Sequence, residues 1–176
     1  MAGDLDAIVR ELKDRQDIHD CLMRYCRGVD RLDRALLESC YHADAIDDHG
    51  AFVGPADRFI DWVLGIYATY KHVSHHEVTN HLCEIDGDTA HAESYWISTT
   101  IDRAAPHFSR ARGRYIDRFE RRDGRWAIAA RVCVVEISDG RDDLGLDQLA
   151  RAFQPRDASD ASYQRPLTIA LPDPAG

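Results

Sequence analysis

The chain has 176 residues, 31 acidic against 22 basic, for a formal net charge of −9, and 44% of its residues are hydrophobic. That length fits one domain, able to bury a core without disulfides or metal, and the apolar content excludes a disordered chain. The acidic balance argues against a nucleic-acid partner, whose phosphates need clustered Lys and Arg.

The five cysteines, Cys21, Cys26, Cys40, Cys83 and Cys133, are odd in number and form no C-x-x-C pair. They read as small buried apolar residues in a reducing, cytoplasmic setting. The acidic N-terminus carries no signal-like apolar core, and no run approaches the length of a membrane span.

In chain order, Leu5, Ile8, Val9 and Leu12, continued by Ile18, Leu22, Tyr25, Cys26 and Val29, recur at helical spacing. They predict one long helix, or two nearly collinear ones, over residues 5–29. Gly28 should weaken its last turn and leave Asp30 at the exit. Taken alone, Asp30 reads as a solvated cap of a short helix over residues 34–40. Residues 45–52 read as an extended segment with a Gly turn. Pro55 then opens a third helix, with Phe59, Trp62, Val63, Ile66 and Tyr70 on one side. Four strands follow, over residues 73–85, 89–101, 110–121 and 125–138, with hairpin signals at Asp86-Gly87-Asp88 and Arg122-Asp123-Gly124.

Three helices followed by a meander of long antiparallel strands predict an α+β domain over residues 1–140. The helices should pack over a curved sheet whose open end makes a cone-shaped pocket. Residues 141–176, rich in Asp, Arg, Ser and Pro with one helical piece over 144–153, read as a cap, an inter-subunit arm or a disordered tail.

The stretch KHVSHHEVTNHLCEIDGD, Lys71 to Asp88, holds four of the nine histidines. Imidazole titrates near neutrality, so the cluster invites a proton-transfer reading. Strand alternation sends neighbours to opposite faces, so His72, His76 and the pair His75 and His81 cannot all enter one pocket, and His72, His75 and His76 do not converge on a metal. No Gly-rich phosphate loop and no nucleophile elbow occurs.

Four stretches carry a resemblance: RYCRGVDRLD, YHADAIDDHGAFVGP, HHEVTNHLCEIDGDTA and YIDRFERRDGRWAIAAR. With the order of elements, they resemble the SnoaL-like branch of the nuclear-transport-factor-2-like superfamily over residues 5–138. Within it the chain looks most like the cofactor-free lyases: hexachlorocyclohexane dehydrochlorinase, scytalone dehydratase and bile-acid 7α-dehydratase.

The resemblance implies an Asp–His dyad in the cone. G-V-D places the carboxylate on Asp30, and H-x-x-T-N places the imidazole on His76 rather than His75. It also implies assisting roles for Tyr25, five residues before Asp30, and for Arg131, five after Trp126. Tyr25 and Asp30 lie about 140° apart around a regular helix, so sharing a pocket would need the helix to end or bend near Gly28. Arg131 alternates with Ala127, Ala129, Cys133 and Val135 on one strand face, and Trp126, Ile128, Val132 and Val134 take the other.

Trp62, Trp96, Tyr115 and Phe119 are candidate pocket walls. His49 is a weaker candidate, since Asp47 and Asp48 look like a solvated turn. The expectation is a lyase or isomerase without cofactor or metal, taking a proton from carbon of a small apolar cyclic substrate, as a homodimer or homotrimer. Two alternatives stand: an assembly subunit resembling the small subunit of aromatic-ring dioxygenases, and a polyketide cyclase or hydroxylase.

Overall fold

The computed structural model describes residues 2–103, 108–139, 159, 161 and 164–171. The order of elements is α1 (Ala2–Arg31), α2 (Arg34–Glu38), β1 (Tyr41–Asp48), β2 (Val53–Pro55), α3 (Ala56–Tyr70), β3 (Lys71–Asp86), β4 (Thr89–Asp102), β5 (Phe108–Arg122) and β6 (Arg125–Asp139). The strands form one sheet in the order β2-β1-β6-β5-β4-β3. Neighbours pair antiparallel except β1 with β6, which are parallel. The expected meander is therefore β3 to β6. The chain before it adds β1 alongside the last strand.

The sheet is curved. Flat, β1 and β3 would lie four strand spacings apart, about 19 Å. Yet α3 packs against both. The sheet curls around the helices and encloses their apolar faces.

α1 runs unbroken through Gly28 and ends at Leu32, whose φ is +54°. Gly28 is where α2 crosses closely: a Cβ there would stand 2.7 Å from Leu37 Cγ. The cap of α2 is Asp33, which accepts from Leu36 N at 3.0 Å, and not Asp30. Only the second half of the α1 stripe is core: Ile18, Cys21, Leu22, Tyr25, Cys26 and Val29 are buried, while Leu5, Ile8, Val9 and Leu12 are exposed. The α3 stripe also shifts. Phe59, Ile60 and Val63 are buried, but Tyr70 is exposed and Tyr67 takes the inward position. Tyr67 lies four residues after Val63, one turn along the same face.

Bulges break the expected strand alternation. In β6 the register shifts between Ile128 and Ala130. A bulge moves following side chains to the other face. Trp126 and Ile128 thus join the core under the helices with Cys133, and are not on the outer face with Val132 and Val134. The outer cluster, Ile116, Ala130, Val132 and Val134, is covered by Leu167 from the chain's own C-terminal segment. The helical piece expected over residues 144–153 lies outside the described residues.

Among the described residues, no helix is long and apolar enough to cross a membrane. All five cysteines are buried and free.

Candidate functional site

The curled sheet and the helices leave a cavity of about 160 Å³. Two imidazoles, His76 from β3 and His49 from the turn after β1, reach its wall. Each is backed by a buried aspartate and touched by a tyrosine.

β3 aims the first array. Ser74, His76 and Val78 point inward by strand alternation, while His72 and His75 are exposed. A register shift between Val78 and His81 falls on the exposed Thr79 and Asn80. It brings His81 back to the inner side, where its Nδ1 lies 2.9 Å from Ser94 Oγ. Simple alternation had separated His81 from His76.

Asp30, near the end of α1, receives the inward group. His76 Nδ1 lies 2.7 Å from Asp30 Oδ1, the His76 backbone N–H donates to Oδ2 at 2.8 Å, and Ser74 Oγ donates to Oδ1 at 3.0 Å. Burial alone would raise the Asp30 carboxyl, but the bonds and charge of His76, with Ser74, hold it below the usual carboxylate range. An ionised carboxylate only accepts, so His76 carries its proton on Nδ1. In the neutral ring the lone pair is then on Nε2, and the Tyr67 hydroxyl stands 3.3 Å from that nitrogen.

The second array is built from the stretch expected to be a solvated turn. Asp47 and Asp48 are buried instead, because β1 lies between β2 and β6 inside the sheet. Asp47 accepts from Tyr41 OH at 2.6 Å and from His49 Nδ1. His49 Nε2 lies 3.2 Å from the Tyr25 hydroxyl, and the His49 ring stacks on Phe59 at 4.3 Å. Burial pulls the imidazole down, but Asp47 beside it prevails and His49 is pushed up to about 10.

Tyr25, His49, Trp62, Trp96, Tyr115 and His76 all line the cavity. Asp30 stands behind His76. Tyr25 and Asp30 do not meet, because the unbroken helix sends them to different imidazoles.

Two expectations are corrected. Arg131 does not reach the wall. It is fully buried on the inner strand β6, donates to both Asp117 oxygens at 2.7 and 2.8 Å, and lies between the Tyr25 and Tyr115 rings at 4.2 and 4.1 Å. Phe119 lies wholly within the core, outside the cavity wall.

Sequence reasoning missed Tyr67, Ser74, Asp47 and Asp117. Helical spacing from Val63 marks Tyr67, and the two-residue period from His76 marks Ser74. The same period marks Asp117, midway between Tyr115 and Phe119, but nothing local marks Asp47, whose burial depends on neighbouring strands. Among the described residues, no three His, Cys, Asp or Glu side chains converge as metal ligands would. The buried Trp96 indole nitrogen has no hydrogen-bond partner among the described residues.

The profile of a family described as SnoaL-like domain matches residues 10–132. No curated protein matches the chain. Among solved structures, a hexachlorocyclohexane dehydrochlorinase from Novosphingobium barchaimii superposes with a TM-score of 0.68 at 18% identity, covering 77% of this chain and 95% of that one. A candidate scytalone dehydratase from Novosphingobium aromaticivorans gives 0.69 at 15%, covering 74% and 89%. A candidate aromatic ring hydroxylase from the same species gives 0.67 at 21%, covering 75% and 96%. At these identities the likeness carries the fold.

Proposed function

The chain belongs to the SnoaL-like family, and on that premise we propose that it is a cofactor-independent lyase or isomerase in which His76 takes a proton from carbon. One observation carries the reading: the His76 imidazole is tied to Asp30 at 2.7 Å while its ring borders an aromatic-walled cavity. Asp30 fixes the tautomer and stabilises the imidazolium that forms, so the basic nitrogen is Nε2. Tyr67 holds Nε2 until substrate displaces its hydroxyl. Trp62, Trp96 and Tyr115 suit a flat, mainly apolar ring. Solved relatives of this fold are named as a dehydrochlorinase and a candidate dehydratase, which supports elimination. Proton return to another carbon would need the same groups.

The test is deuterium uptake from heavy water into a panel of cyclic ketones, followed by proton NMR. Wild type should accelerate exchange in at least one member, and His76→Gln should slow it about 100-fold or more. Equal exchange by the variant and wild type would sink the reading.

A further inference from the structure

The cavity wall changes character along β4. The inner side chains of that strand are, in order, Trp96, Ser98 and Thr100. Ser98 stands opposite His76 on β3, and Thr100 opposite Ser74 on β3 and Ser109 on β5. One step toward the core is Trp96, stacked on Tyr115 at 5.6 Å. One step the other way is Thr100, whose hydroxyl lies 2.8 Å from that of Ser109. The next step reaches Asp102, which accepts from Lys71 Nζ at 2.6 Å. Exposure rises in that direction: Trp96 and Tyr115 are buried, while Lys71 and Ser138 are half-buried. That end is the mouth of the cavity.

The charge of the wall opposes that of the chain. The protein carries a formal charge of −9, yet none of the described residues lining the cavity is Asp or Glu. The charge-bearing residues on the wall are basic: His49 and His76 deeper in, Lys71 and Arg110 at the mouth. Asp30, Asp47 and Asp102 each lie behind a basic partner and off the wall. Lys71 has three N–H donors, of which Asp102 takes one. Thr100 and Ser109 share one hydroxyl hydrogen and leave the other for a ligand. The Lys71 side chain is only 16% exposed, so salt screens its charge less than that of a surface lysine. A donor-rich mouth without acids, ahead of an aromatic seat, suits an anion with an apolar body.

We propose that the substrate is a ring-bearing organic acid, its ring between Trp96 and His76 and its carboxylate seated at the mouth by Lys71 and the hydroxyls of Thr100, Ser109 and Ser138. This rests on the base role proposed for His76, which fixes where the reacting carbon lies. Thr100 is two residues beyond Ser98, about 7 Å along the strand. The carboxylate is therefore remote from the carbon that loses its proton, and it serves binding alone. Lys71 then sets specificity and touches no reacting atom. A single lysine with three hydroxyls matches a carboxylate better than a phosphate dianion. A neutral halogenated ring would leave this seat empty.

The test is equilibrium binding, which needs no turnover. The probes are phenylacetic, 3-phenylpropanoic and 4-phenylbutanoic acids, each against its primary amide, which keeps the shape and removes the charge. Calorimetry at pH 7 and low salt should show at least one acid binding about 10-fold or more tighter than its amide. Lys71→Met should erase most of that preference and leave amide affinity unchanged, which also reports an intact cavity. That variant strips Asp102 of its partner, so Lys71→Met/Asp102→Asn is the charge-balanced control and should lose the preference too. Asp102→Asn alone should strengthen acid binding. His76→Gln should keep the acid preference while slowing ketone exchange, so this proposal and the base role fail separately. Equal affinity for acid and amide in wild type overturns the proposal, as does failure of every acid to bind at millimolar concentration. A preference that survives the double variant also overturns it. So does one that persists in Lys71→Met but falls in His49→Gln, which would put the carboxylate on the deeper cation.

Discussion

Asp30 shows how three short bonds outweigh an unfavourable place. It is buried near the C-terminal end of α1, where both desolvation and the helix dipole oppose a carboxylate. His76 and Ser74 donate enough to hold it ionised below its ordinary value. A carboxyl whose folded value lies below its unfolded one stabilises the fold fully above the unfolded value, near about 4. That contribution is lost as pH falls through the folded value. Asp30→Asn should therefore be less stable than wild type at pH 7, and the gap should narrow at pH 3. Urea denaturation at the two pH values measures it, and a constant gap would contradict the ionised assignment. At this same scale Arg131 is occupied by Asp117 and two aromatic rings, so its influence on the cavity passes through Tyr25 and Tyr115.

The bulges decide what the elements present. Gly113 faces a shift in the pairing of β5 with β6, where Arg112 opposes Ile137, Gly113 opposes Val135 and Glu136 of β6 is the extra residue. A Cβ there would stand 1.8 Å from the Val134 carbonyl oxygen and 2.9 Å from Trp96 Cζ2. The backbone oxygen cannot retreat without disturbing the sheet, and Trp96 is part of the cavity wall. Gly113→Ala should cost about 3 kcal/mol or more and weaken binding of any cavity ligand. Chemical denaturation and the KM of ketone exchange would show both effects, and a variant with wild-type values in each would contradict the close approach. The tight β5–β6 turn works differently: Asp123 and Gly124 both have positive φ, which matches the right-handed twist of a two-residue hairpin.

At the scale of the molecule, the chain's own C-terminal segment covers one apolar cluster on the outer face of the sheet. Leu167 is 1% exposed and packs on Ile116, Ala130, Val132 and Val134. Arg118 Nε donates to the Leu167 carbonyl at 3.2 Å, and Arg165 pairs with Glu84 at 2.9 Å. Leu167→Ala should destabilise the protein by about 2–3 kcal/mol with little change in ketone exchange, because this face is opposite the cavity. Thermal and denaturant unfolding would test the first part. A variant as stable as wild type would mean the segment does not cover the sheet in solution.

The sequence by itself determined the three helices, the four long strands, the hairpins over Gly87 and Gly124, and the SnoaL-like resemblance, which in turn picked His76 over His75. The elements rest on local chemistry: helical spacing in α1, a period of two along the strands, and turn residues whose backbone preferences are intrinsic. Only the tertiary structure decided which carboxylates are buried, because burial is supplied by other strands. Asp47 and Asp48 read as a solvated turn until β2 and β6 flank them, and Arg131 reads as a pocket residue until Asp117 is found beside it. The same holds for the faces of β6 and β3, since a bulge is set by pairing with a neighbour and reverses every side chain beyond it. The meeting of Asp30 with His76, and of His49 with Tyr25, spans long stretches of chain, and no local spacing encodes a distance across a curled sheet.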